Sequence, residues 1–114
     1  MPLLTVTTNQ QLPEGKAGLV LPQLSRAVAD MLGKPEGYVM VALQNNPNMS
    51  FAGDTAPLAY LELKSIGLSE SVTAGVSEAL CQLVARETGT DTARIYIEFS
   101  NAPRRMWGWN NGTF

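Results

Sequence analysis

Two glycines, Gly33 and Gly89, set the frame of this chain. Each closes a stretch of helical periodicity, and they stand 56 residues apart. Each is followed five residues later by an apolar run of strand length, at Tyr38 and at Arg94. A helix that stops at glycine and hands over to a strand, twice at nearly equal spacing, points to a structural repeat. Residue identity between the halves is slight. Each half reads as strand–helix–strand: LLTVTT (3–8), a helix ending at Gly33 and YVMVAL (38–43), then LAYLEL (58–63), a helix ending at Gly89 and RIYIEF (94–99). Two βαβ halves give a four-stranded sheet with two helices, and two helices cover one face of such a sheet. YVMVAL is apolar on both faces and LAYLEL nearly so, so the second face is expected to be sheltered by other copies of the chain.

Local signals refine this frame. Leu21, Leu24, Val28 and Met31 are spaced as one face of the first helix, with Pro22 marking either its first turn or a kink. Ser69 suits the N-cap of the second helix, with Glu70 well placed against its dipole and Val72, Val76, Leu80 and Leu83 on one face. The third strand is expected to reach toward Ile66. In the fourth, Ile95, Ile97 and Phe99 point one way, Tyr96 and Glu98 the other. The polar segment 44–57, interrupted by Met49 and Phe51, has room for a short extra strand.

The 114 residues fit one domain, 1–114, which buries roughly two-thirds of its unfolded surface without staples. Only 16% of residues are charged, low for a monomer's surface and in keeping with oligomer contacts. A net charge of −2 leaves no basic stripe for phosphates, which argues against a nucleic-acid partner. One cysteine and no histidine exclude an internal disulfide and a Cys/His zinc site. No apolar run nears the roughly 18 residues of a membrane span, and no charged-then-apolar leader is present. The expected location is the cytosol, and the sequons at Asn48 and Asn111 then carry no meaning. Cys81, beside the apolar face of the second helix, reads as an inert buried thiol.

If the chain is an enzyme, its second residue is the first candidate. Removal of Met1 before a small residue would leave Pro2 with a free secondary amine. An α-amino group titrates near ~8, and a secondary amine somewhat higher. Burial lowers that value and a nearby lysine lowers it further, toward a base poised for enolisation. Trp107, Trp109 and Phe114, with Tyr38, could form an apolar rim that suits an aryl group and keeps water from the amine. By spacing alone, Lys34 is a solvated lysine at a helix C-terminus.

The ordered set MP at the start, GKP at 33–35, Tyr38, SIG at 65–67, IYI at 95–97 and GWNNGTF at 108–114 resembles macrophage migration inhibitory factor and its tautomerase relatives, over nearly the whole chain. The resemblance implies an α+β fold with a mixed four-stranded sheet. It implies a homotrimer whose sheets line a central channel, with an active site at each subunit interface. It implies keto–enol tautomerisation of phenylpyruvate-like 2-oxo acids or dopachrome-type substrates, without metal or cofactor. Pro2 would be the base. Lys34 would meet the substrate carboxylate, and the backbone around Ser65 and Ile66 would add a polar contact. Tyr96 would reach a neighbour's pocket, with Glu98 on the same face. It also brings in export without a signal peptide.

Glu98 departs from the best-known vertebrate member, which has asparagine there. A carboxylate would favour the ammonium form of Pro2 and repel an anionic substrate, unless it points to solvent. Leu58 and Leu61 stand where some relatives carry C-x-x-C, so thiol–disulfide chemistry has no support. Two other readings remain open: a cytokine-like binding trimer with vestigial activity, and a relative of the hydratase or dehalogenase members of the superfamily.

Overall fold

A computed structural model describes all residues, 1–114. The chain runs β1 (Leu3–Thr8), α1 (Lys16–Leu32), β2 (Met40–Asn45), β3 (Ala59–Ile66), α2 (Thr73–Thr88), β4 (Ile95–Ala102), and a short hairpin of β5 (Gly108–Trp109) and β6 (Gly112–Thr113). The sheet order is β2-β1-β3-β4. The pairs β1–β2 and β3–β4 are parallel, and the halves meet through antiparallel β1–β3. The mixed sheet of two βαβ halves is therefore as the repeat requires.

Both helices end as their glycines dictate. Gly33 (φ 63°) and Gly89 (φ 68°) adopt the left-handed conformation that glycine takes without a Cβ penalty. Gly33 N–H reaches the carbonyls of Ala29 and Asp30, and Lys34 N–H follows to Ala29 at 3.0 Å. A 3₁₀ turn precedes β2 (Glu36–Tyr38) and another precedes β4 (Thr92–Arg94). These turns shift the strand starts: Tyr38 and Arg94 are turn residues, and the strands open at Met40 and Ile95. The second turn is organised by Asp91, whose carboxylate accepts from Ala93 N–H at 3.0 Å. Helix α1 begins at Lys16, so Pro22 lies well inside it, on the exposed side, where the missing N–H leaves the Gly18 carbonyl without a helical donor. Ser69 caps a 3₁₀ turn (Glu70–Val72) rather than α2 itself, accepting from Ser71 N–H at 3.2 Å.

Val20, Leu24 and Val28 of α1 and Val76, Leu80 and Val84 of α2 pack on Leu4 and Val6 (β1), Ala59, Leu61 and Leu63 (β3) and Ile95 (β4). In α2 the buried residue is Val84, four after Leu80, and Leu83 is half-buried. Val72 lies in the preceding turn and is exposed. The register aligns Leu4 with Leu63, Val6 with Leu61 and Ala59 with Ile95, which places these residues on the helix-covered face.

By the same alternation the open face carries Leu3, Thr5, Thr7, Met40, Ala42, Gln44, Tyr60, Glu62, Lys64, Tyr96 and Glu98. The expectation of an apolar second face holds in part: Val39, Val41 and Leu43 pack on the core side, whereas Met40 and Ala42 of the same run face the open side with Leu3, and the rest of that face is tyrosine, threonine and charge. No extra strand forms in 44–57. Phe51 and Asp54 exchange a single isolated bridge across a tight turn with Ala52 at φ 54° and Gly53 at φ 74°. No helix is long and apolar enough to cross a membrane.

Candidate active site

Pro2 lies directly before β1 and its side chain is fully buried. Its carbonyl accepts from Met40 N–H at 3.0 Å, so the chain entry is tied to the head of β2. In front of it opens a cavity of about 360 Å³, lined by Met1, Pro2, Tyr38, Met40, Trp107, Trp109 and Phe114 among others. Its aromatic wall is assembled by the tail. Asn110 (φ 49°) and Asn111 (φ 66°) form the two-residue turn between β5 and β6, a geometry that asparagine tolerates better than most residues and that matches the twist of a tight hairpin. The turn folds Trp109 back onto Phe114, with rings stacked at 5.2 Å. Tyr38 meets both edge-on, at 5.6 Å from Trp109 and 5.7 Å from Phe114. Phe114 N–H closes the motif on the Trp107 carbonyl at 3.2 Å.

The amino group that sits here belongs to Met1. It stands in for the terminal nitrogen that Pro2 would carry without Met1, since with Met1 in place the Pro2 nitrogen is an amide. The Met1 amine is held below its ordinary value of 8.0, first by burial and second by the positive charge of Lys34. Lys34 thus acts on the terminal nitrogen, although it lines a separate small cleft of about 90 Å³ with Ser65, Gly67 and Ser69. Ser65 is buried, and its hydroxyl donates to the Ile66 carbonyl at 3.4 Å. Ile66 is also buried, at the end of β3 where Gly67 (φ 72°) turns the chain away.

Tyr96 and Glu98 are not brought to this cavity within one chain. Tyr96 is 65% exposed on the open face and tilts against Phe51, with ring centroids 4.7 Å apart. With Met49, Phe51 and Tyr60 it lines a second cavity of about 300 Å³. Glu98 accepts from the Tyr60 hydroxyl at 3.2 Å. Burial, and then the Glu62 and Glu98 carboxylates, push the Tyr60 phenol up to about 12.

The chain matches the macrophage migration inhibitory factor (MIF) family over residues 1–114. It belongs to that family. A MIF homolog of Brugia malayi is 35% identical over 116 residues, covering all of this chain and 99% of the relative. The MIF homologue structure from Prochlorococcus marinus superposes with a TM-score of 0.92 at 42% identity, covering 98% of each chain. That of Trichinella spiralis MIF gives 0.89 at 32% identity, covering 98% of this chain and 99% of the other. MIF proteins are part of the tautomerase superfamily.

Among the residues expected from sequence, this MIF-family fold gathers Pro2, Tyr38, Trp107, Trp109 and Phe114 around one cavity, with Lys34 acting on its amine. Ser65 and Ile66 lie beside Lys34's cleft, and Tyr96 and Glu98 lie on another surface. Sequence reasoning missed Met40, whose strand-like run suggested a covered residue but which is 66% exposed at the cavity mouth. It also missed Tyr60. The strand register was the available signal, pairing Tyr60 with Tyr96 and Glu62 with Glu98. Cys81 is half-buried rather than fully buried, with the Ser77 hydroxyl 4.0 Å from its sulfur. Leu58 and Leu61 are buried core residues.

Proposed function

We propose that this MIF-family protein is a keto–enol tautomerase acting on phenylpyruvate-like 2-oxo acids, with Pro2, freed by removal of Met1, as the base. The observation that carries the reading is the burial of Pro2 at an aromatic cavity where the terminal amine is already held below its ordinary value. Removing Met1 places the terminal nitrogen on Pro2, one residue further into the same aromatic cavity, where burial and the Lys34 charge both disfavour the ammonium form. A neutral amine near physiological pH can take the proton from the carbon beside the ketone, a role typically contributing about 10²- to 10⁴-fold. Lys34 draws the carboxylate of the substrate. The stacked Trp109–Phe114 pair and Tyr38 hold the ring and exclude water. The proton then returns to the oxygen, and no cofactor is called for.

The functional unit in this reading is a homotrimer. Tyr96 and the Tyr60–Glu98 pair lie outside the chain's own cavity, on a half-polar open face, which suits a site completed by a neighbour. Glu98 is held by Tyr60, so its charge stands fixed on that face and tempers affinity for anions. The reading places the protein in the cytosol, with no nucleic-acid or membrane partner.

Pro2→Gly tests the assignment. It keeps a free terminal amine but a primary, more mobile one. Enolisation of phenylpyruvate should fall by about 10-fold or more. Undiminished activity would refute the role of Pro2. A wild-type rate no better than free proline would favour a binding role for the trimer.

A further inference from the structure

We propose that Arg94 is a positioning residue that fixes the ring of Tyr96 through the loop 51–57. The guanidinium is spent on backbone carbonyls rather than on a carboxylate. Nε donates to the Pro57 oxygen at 3.0 Å, Nη1 to Phe51 at 3.3 Å, and Nη2 to Asp54 at 3.0 Å and Ala56 at 3.2 Å. Its central carbon lies 5.3 Å from the centroid of the Phe51 ring, within cation–π range. The same ring meets Tyr96, with centroids 4.7 Å apart. Arg94 therefore sits at one end of a chain of contacts with Tyr96 at the other and Phe51 between.

The loop is held by Arg94 and also by Asn9, whose side-chain amide donates to the Thr55 and Ala56 carbonyls at 3.0 and 3.4 Å. Its tip places Ala52, a residue with a Cβ, at φ 54°. Its own bonds are the two-way exchange between Phe51 and Asp54, at 2.9 and 3.0 Å, and the Asp54 carboxylate accepting from Ala56 N–H at 2.9 Å. The planar fork of arginine reaches four oxygens that point inward from the loop. Lysine, a point charge on a flexible stem, cannot reproduce that pattern. A tyrosine that is 65% exposed would ordinarily sample several rotamers. Here its ring is backed by a second ring, itself backed by a clamped cation. That is pre-organisation of a group that makes its working contact beyond its own chain. The inference rests on the tautomerase reading, in which Tyr96 enters the site of a neighbouring copy.

The test uses the mature full-length protein with ¹³C-labelled tyrosine rings, the Tyr96 signal being assigned from Tyr96→Phe. Arg94→Met should move the Tyr96 ring resonances toward those of a free tyrosine. It should raise KM for phenylpyruvate by about 2- to 10-fold, the range one lost aromatic contact carries. The kcat, its pH profile and the assembly mass should hold. Phe51→Leu, which leaves the Arg94 hydrogen bonds in place, should do the same and serves if Arg94→Met does not fold. In a Tyr96→Ala background, Arg94→Met should have no additional effect on KM. The exposed Arg105→Met is the neutral control. Unchanged ring resonances in both variants, or KM effects of Arg94→Met and Tyr96→Ala that simply multiply, would overturn the proposal. Full activity in Pro2→Gly would remove the base assignment alone. The ring resonances and the coupling with Tyr96 would still decide the role of Arg94.

Discussion

Replacing Lys34 by methionine keeps an unbranched stem in the cleft it lines with Leu32 and Val72 and removes the charge. Two effects should follow, and the structure sets their sizes apart. First, the lysine no longer meets the substrate carboxylate. A hydrogen bond to a charged group is worth about 1.5–3 kcal/mol, so kcat/KM for phenylpyruvate should fall by roughly 10- to 150-fold, mostly in KM. Second, the terminal amine loses one of the two influences that hold it down. Burial is the larger of these and remains, so the amine should rise only part of the way toward its ordinary value. The sign is fixed: removing a cation near an amine stabilises the ammonium form. The acid limb of the pH–rate profile should therefore move to higher pH while staying below the value of a solvated amine. Stopped-flow enolisation across a pH series reads both quantities from one data set. An unchanged KM together with an unmoved acid limb would refute the reasoning, because Lys34 would then be the solvated helix-end lysine that its spacing alone suggests.

Two further outcomes follow from charges outside the cavity. Glu87 is held below its ordinary range by a hydrogen bond from Lys16, at 2.7 Å, and then by Arg86. The stabilisation it gives is fully present above the glutamate value of 4.5 and is lost as pH falls through the lower folded value, because there the unfolded chain binds more protons. Urea unfolding between neutral and acidic pH should show that slope, and Lys16→Met should flatten it. Tyr60, raised to about 12, should stay protonated at a pH where an ordinary phenol has ionised, and Glu98→Gln should lower its midpoint toward 10.0. Ultraviolet difference titration measures both, and a Tyr60 midpoint at the ordinary value in the parent would contradict the hydrogen bond to Glu98.

Much of this fold was legible because it is written in spacing. Gly33 and Gly89 end the helices where their positions demand, and the alternation of RIYIEF sorted Ile95 from Tyr96 correctly. Several of the differences arise at short turns. Three-residue 3₁₀ turns capture Tyr38, Val72 and Arg94, which apolar pattern alone assigns to the neighbouring strand or helix. In α2, burial follows the four-residue step from Leu80 to Val84, and Leu83 carries the same hydrophobicity without the position. Helix α1 enters through Gly15 in a left-handed conformation, so of the two placements open to Pro22 the first-turn one is excluded.

The site divides along similar lines. Pro2 was foreseeable as the secondary amine that loss of Met1 would expose, and Trp107, Trp109 and Phe114, with Tyr38, as an apolar rim built by an aromatic-rich tail. The Asn110–Asn111 turn supplies the fold-back. Tyr96 and Glu98 fall elsewhere because strand alternation sends them to the open face, and no single-chain argument returns them to Pro2. Arg94 was invisible as a functional residue. Its partners are main-chain oxygens, which every residue carries, so nothing in the sequence marks them.

The central claim is a neutral, desolvated imino nitrogen at the head of the mature chain. Intact mass establishes the loss of Met1, and ¹⁵N NMR titration of the labelled Pro2 nitrogen then reads its protonation directly. The account predicts a midpoint below the ordinary α-amino value of about 8. A midpoint at or above that value, or full activity in protein that still carries Met1, would contradict it.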